Sequence, residues 1–301
     1  MTQPREIRPG RYYLVTRRCT QRQFLLRPSK VTNAVFEFLL AQSAKHFSIE
    51  VVAWMVMSNH YHAVVRDPLG RLPDFLERFH SLIARAMNAH WGRWESFWNA
   101  SEQACVTHLV TMDDVFDKVV YALANPVADH LVARVSDWPG SSAFRALAGG
   151  TKVVERPAHF FRKEGAVRRT AKLEASPPSI GGESAMEWAA RVRAAVKREE
   201  DRARAERAKT GQPVLGKAAI LTASFLDKPK TRAPRRTLRP NVACKSPALR
   251  AAALLALKAF RRAHSTARDL FIQGVHDVVF PAGTWAMRRL GVLCEPDAVP
   301  T

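Results

Sequence analysis

Long apolar runs are missing from this 301-residue chain, and none approaches the roughly 20 residues of a membrane-spanning helix. The opening residues, MTQPREIRPGRYY, hold no apolar signal-peptide core. Cysteine is scarce. Cys19, Cys105, Cys244 and Cys294 show no paired spacing, which argues against a disulfide scaffold or a zinc ribbon. No internal repeat occurs, and the second half lacks the alternating strands and helices of a barrel. These absences predict a reduced, cytoplasmic protein with no membrane partner.

Acidic residues are also too few. Lys and Arg number 47 against 27 Asp and Glu, a net charge of +20. Residues 1–150 carry 17 basic and 13 acidic side chains, and the remainder 30 and 14. The excess therefore sits in the second half. Such a field favours a polyanion, nucleic acid first. A soluble protein with a basic tail and no specific partner is the alternative. Hydrophobic residues make up 47% of the chain, enough for a core.

RYYLVTRRC, 11–19, reads as a first strand. The apolar spacing in 29–47 predicts a helix capped by Ser29. SIEVVAWMVM and YHAVVR predict a hairpin across Ser58-Asn59. An amphipathic helix is expected over 72–92, ending near Gly92. A strand follows at 104–110, then a helix at 111–127 capped by Thr111. Strand, helix, strand, strand, helix, strand, helix is an α+β, ferredoxin-like (split βαβ) pattern with one extra helix. The expected units are an α+β domain at 8–150, a linker at 151–186 and a basic, mainly helical extension at 187–301. Helices are expected at 187–209 and 246–271. The basic stretch 228–240 is Pro-broken and reads as extended.

Strand alternation puts His60 and His62 on one face and Tyr61 on the other. Two imidazoles so placed can share a metal ion, and a His-X-His in an apolar strand also serves a purely structural role. Tyr121 and Asn125, four residues apart, are neighbours on one helix face. Pro126 predicts that this helix ends or kinks after Asn125. A tyrosine packed on the sheet and an asparagine capping the helix are the plain alternatives. Taken together, the four residues suggest phosphodiester chemistry. A metal held by two imidazoles and an amide oxygen would polarise the phosphate. A tyrosine oxygen would attack phosphorus and keep the ester energy as a phosphotyrosine. Lys118, one turn before Tyr121, would face the same way and is equally an ordinary surface lysine.

WMVMSNHYHAVV, YALANPVADHLVARVSDWPGSS and the first strand together resemble the single-tyrosine HUH transposases of the insertion-sequence-200-like group. REP-associated tyrosine transposases are the nearer resemblance, over roughly residues 8–147. The resemblance implies a ferredoxin-like domain acting on single-stranded DNA beside a hairpin. It implies Mg2+ or Mn2+ as cofactor, His60, His62 and Asn125 on the metal side, and Tyr121 as nucleophile. A 5′-phosphotyrosine and a free 3′-hydroxyl follow from it. Three features depart from the family pattern. Ser58 replaces a proline, Tyr61 replaces a hydrophobic residue, and ADHLV replaces an Arg-Ala-Gly run. They bear on substrate preference.

Arg11, Arg17, Arg18 and Arg22 surround the first strand and are candidate phosphate contacts, as are Arg235 and Arg236 in the tail. Trp91, Trp94, Phe97 and Trp98 offer stacking surfaces, although at least two of these tryptophans are expected to be structural. A non-cleaving DNA-binding regulator on the same fold is the second reading. A metal-dependent hydrolase of small molecules is a distant third, because Ala63-Val64-Val65-Arg66 supplies no further ligand. Monomer and homodimer both stay open.

Overall fold

The computed structural model describes residues 3–100, 103–148, 150–157, 168–178, 182–231 and 239–297. Its first half runs β1 (Arg11–Arg18), α1 (Lys30–Phe47), β2 (Glu50–Val56), β3 (His60–Asp67), α2 (Leu72–Trp91), β4 (Cys105–Leu109) and α3 (Met112–Ala128). β5 (Thr151–Glu155), β6 (Thr170–Glu174), α4 (Ala185–Thr210), α5 (Lys217–Thr222), β7 (Val242–Ala243) and α6 (Pro247–Ile272) follow. The main sheet has the order β2-β3-β1-β4-β7. The first four strands pair antiparallel, and β7 joins β4 in parallel. This is the split βαβ arrangement expected from the sequence, with a fifth strand from the tail.

Local chemistry sets the ends of these elements. Ser29 Oγ accepts from the Thr32 N–H, and Gly92 takes a left-handed φ of 62° at the end of α2. Thr111 and Asp114 form a reciprocal capping box at the start of α3. Ser58 and Asn59 make the tight turn between β2 and β3, closed by Met57 N–H donating to the His60 carbonyl. α1 and α2 cover one face of the sheet, where Phe36, Tyr61 and Phe79 pack edge to face. α3 covers the other face, with the His62 and Tyr121 rings in contact.

α3 matches the helix expected over 111–127 to within one residue at each end. α3 does not stop at Asn125 but runs through Pro126 to Ala128. Proline there removes a single donor close to the helix end, and the ring is buried with Val127. The Pro126 carbonyl then accepts from Leu131 and Val132 N–H, which turns the chain back. Tyr121 accordingly lies about two turns before the end of the helix.

Residues 138–148 close the free edge of β2. Val56 N–H donates to the Ser141 carbonyl, and Trp138 Nε1–H donates to the Val56 carbonyl. A Cβ on Gly140 would stand 2.8 Å from that carbonyl oxygen and would also strike Trp138 Nε1. Gly140→Ala is therefore expected to cost about 1–3 kcal/mol through overpacking. The measurement is a urea midpoint at unchanged slope, and an unmoved midpoint would show that this edge has room.

The expected linker holds the paired strands β5 and β6, whose Val154 and Leu173 are buried. Lys152 ties the pair to Glu37 of α1 at 2.7 Å. The tail also packs on the first half. α4 lays Trp188, Val192 and Val196 into the core beside α3, and Glu200 accepts from the Val135 N–H. Among the described residues no helix is long and apolar enough to cross a membrane.

Candidate active site

β3 carries His60 and His62 directly beyond the tight turn. In register across the sheet, His62 faces Thr16 and His60 faces Arg18 on β1. Cross-strand partners share a face, so all four side chains stand on the α3 side. Asn59 fixes the first imidazole. Its Nδ2 donates to the Arg22 carbonyl, so its Oδ1 must accept from His60 Nδ1–H at 2.7 Å. His60 Nε2 is then a bare lone pair. It points at His62 Nε2, 3.1 Å away. His62 Nδ1 is hydrogen-bonded to Thr16 Oγ1 at 2.8 Å.

Thr16 can play either part. If its hydroxyl donates to Nδ1, His62 Nε2–H donates to His60 and the pair closes on itself. If its hydroxyl accepts from Nδ1–H, both Nε2 lone pairs face one another and call for a cation between them. Burial lowers the pKa of His60 from 6.5 to about 4, and Arg18 adds to the shift. Burial, then His60, lowers that of His62 well below its ordinary value. Both imidazoles are therefore neutral at pH 7, the form that binds metal.

α3 faces this pair. The Tyr121 ring meets His62 edge to face, with centroids 5.4 Å apart, and the residue is 49% exposed. Lys118 Nζ lies 5.3 Å from the Tyr121 ring centre. Partial burial holds the phenol above its ordinary pKa of 10, and the nearby Asp129 and Cys105 raise it further. One turn beyond Tyr121, Asn125 is buried, and among the described residues its Oδ1 has no hydrogen-bond partner. An orphaned amide oxygen one turn from Tyr121 and two neutral imidazoles whose Nε2 atoms meet are donors that fit a divalent ion. Among the described residues no group of three or more His, Cys, Asp or Glu is placed to hold a metal ion.

Tyr61 is turned away. It is buried on the opposite face with its hydroxyl bonded to His80 Nε2 at 2.6 Å. Burial drives its phenol far above the ordinary range.

The arginines do not form one groove. Arg18 stands opposite His60 on the site face. Arg17 points to the other face, over the Trp98 ring. Arg11 is paired with Glu6 at 2.9 Å. Arg22 donates to Thr231 Oγ1 and so anchors the tail beside the hairpin turn. Arg235 and Arg236 lie outside the described residues. Two of the tryptophans are structural: Trp91 stacks on Phe225, and Trp98 donates to the His80 carbonyl. Trp94 is 91% exposed. Thr16 and Asn59, which orient the histidines, were not anticipated from the sequence. Alternation marks Thr16 as facing one side of β1, but only the β1–β3 register pairs it with His62.

No family model and no curated protein matches the chain. Among solved structures it is similar to a REP-associated tyrosine transposase bound to a REP hairpin. That likeness has 22% identity and a TM-score of 0.40, and covers 61% of this chain and 98% of the other. It is also similar to a candidate transposase from Deinococcus radiodurans, with 23% identity and a TM-score of 0.27, over 35% of this chain and 84% of the other.

Proposed function

We propose that this chain is a transposase-like enzyme that nicks single-stranded DNA and transfers the cut strand through Tyr121. His60, His62 and Asn125 would hold Mg2+ or Mn2+. The supporting observation is the convergence of two neutral imidazole nitrogens, 3.1 Å apart, beside a half-exposed tyrosine. When bound, the ion would draw negative charge from a phosphate oxygen. Tyr121 Oη attacks phosphorus, a Tyr–O–P bond forms and the P–O3′ bond breaks. The phenol gives up its proton and the departing 3′-oxygen gains one. The 5′-phosphotyrosine keeps the diester energy, so a 3′-hydroxyl can reverse the exchange onto another end without ATP. Basic side chains of the tail add affinity that falls with salt.

The raised pKa of Tyr121 lends some support to the second reading, a regulator that binds DNA without cutting it. A covalent-adduct assay separates the two. End-labelled single-stranded hairpin oligonucleotides from the flanks of the gene are mixed with the protein and Mg2+ or Mn2+. Label is expected to stay on the protein through denaturing electrophoresis, to map to the peptide containing Tyr121, and to disappear with EDTA. Tight, salt-sensitive binding with no label across a broad hairpin set would overturn the enzyme reading.

A further inference from the structure

The loop between β1 and α1, residues 19–27, is bonded both to the hairpin turn that aims His60 and to the tail. Toward the turn, Cys19 N–H donates to the Asn59 carbonyl and Leu26 N–H to the Ser58 carbonyl. Asn59 Nδ2 donates back to the Arg22 carbonyl at 3.1 Å. Toward the tail, Phe24 N–H donates to the Asp227 carbonyl, and Arg27 Nη1 donates to the carbonyls of Leu221 and Ala223. The Arg22 guanidinium forks onto Thr231, with Nη1 on its carbonyl and Nη2 on its hydroxyl at 2.8 Å. Among the described residues, Arg22 is the one member of the loop bonded to the turn and to the tail at once.

Its backbone is unusual as well. Gln21 and Arg22 have φ values of 49° and 62°, a left-handed region that residues with a side chain rarely adopt. Two such residues in succession cost backbone energy and persist only where their surroundings hold them. Glycine would fill a plain turn at less cost. An arginine here keeps the turn and adds a planar donor fork that fastens it to the tail. The guanidinium that the sequence offers to DNA is therefore engaged within the protein.

The consequence reaches the metal side through one amide. Asn59 gives Nδ2 to the Arg22 carbonyl and Oδ1 to His60 Nδ1–H at 2.7 Å. The position of that carbonyl decides which end of the amide faces the imidazole. If the carbonyl moved away, the amide could turn over and present Nδ2–H to Nδ1. His60 would then carry its proton on Nε2, and a protonated nitrogen cannot ligate a metal.

We propose that Arg22 is a positioning residue. Tied to Thr231, it holds its own carbonyl on Asn59 Nδ2 and so keeps His60 in the Nδ1–H tautomer, with Nε2 bare for the ion. Tail residues 221–231 then act on the metal site through a single side chain. This rests on the reading of His60 as a metal ligand above and adds what sets its tautomer.

The test uses the full chain with 15N-labelled histidine, free of metal at about pH 8, where imidazole is neutral. His60→Gln assigns the His60 signals. Wild-type His60 is expected to show a protonated Nδ1 and a bare Nε2, and Arg22→Ala a shift toward the other tautomer. Mn2+ affinity by isothermal titration should fall about tenfold in Arg22→Ala, and Arg22→Lys, which keeps one donor for Thr231, should recover part of it. Asn59→Ala should weaken Mn2+ at least as much, and Arg22→Ala added to it should cost nothing further. Thr231→Val removes the hydroxyl partner alone and serves where Arg22→Ala does not fold. It should move both readouts the same way by a smaller amount. An unchanged tautomer and Mn2+ affinity in the Arg22 and Thr231 variants, or losses that multiply in the double variant, would overturn the positioning proposal alone. A wild type that takes up no Mn2+, while Arg22→Ala still redistributes the His60 tautomer, sinks the metal reading alone. Absence of both responses sinks both.

Discussion

Tyr121→Phe is expected to abolish the covalent protein–DNA adduct and lower the nicking rate on the order of 10^4-fold or more, with DNA affinity essentially unchanged. The substitution removes one oxygen and leaves the ring. Tyr121 is half exposed, and its edge-to-face contact with His62 involves the ring, so neither the fold nor the histidine pair should suffer. An adduct that survives in Tyr121→Phe would move the nucleophile elsewhere. Tyr61 would then need a route from the opposite face, where it is buried and bonded to His80. Tyr61→Phe makes the matching control. It should retain the adduct and lose about 1–3 kcal/mol of stability, because His80 Nε2 is left buried without its partner.

The environment of Tyr121 also sets the pH response. The attacking form is the phenolate, and burial with Asp129 and Cys105 keeps the pKa above 10. At neutral pH the phenol is protonated, so the nicking rate should rise with pH through at least about pH 9. A rate flat across that range would show that a base takes the proton within the step.

The main sheet and its covering helices were legible because each signal was local. Ser29, Thr111 and Gly92 cap helices through their own side chains or φ angles. The alternation of His60, Tyr61 and His62 assigned faces correctly because the strand period of two leaves no freedom. Pro126 did not end the helix at Asn125, because the rule for the residue before proline is a backbone preference, and Pro126 and Val127 are buried in the last turn of α3. What depends on strand register was out of reach. Thr16 meets His62 only because β1 and β3 pair in one alignment. The four arginines around β1 looked equivalent in sequence, yet Arg17 and Arg18 diverge to opposite faces. The tail helices expected over 187–209 and 246–271 are there as α4 and α6, but where the tail packs was illegible for the same reason. Its β7 is two residues long and draws its partner from β4, far away in the chain.

His62→Ala is expected to lower metal-dependent nicking about 10^3-fold and to weaken Mn2+ binding in isothermal titration. His60→Ala should do much the same, and the double substitution should cost little more than either alone, because a single remaining imidazole no longer defines the site. Thr16→Val and Asn59→Ala act one step back, by freeing an imidazole to rotate or change tautomer, and should cost about 10–100-fold. A stability measurement without added metal tests the same pair independently. His60 has its pKa lowered to about 4, so between pH 6.5 and 4 the unfolded chain binds a proton that the folded chain refuses. Stability from this residue is present above pH 6.5 and is lost as pH falls through that window, by about 3 kcal/mol at the acid end. His62 and His80 are lowered in the same direction by burial, so the wild-type chain should unfold steeply in acid. His60→Gln should flatten that slope by one histidine's share. If it leaves the slope unchanged, His60 is not held neutral by its surroundings, and the two nitrogens do not meet as a ready pair of metal ligands.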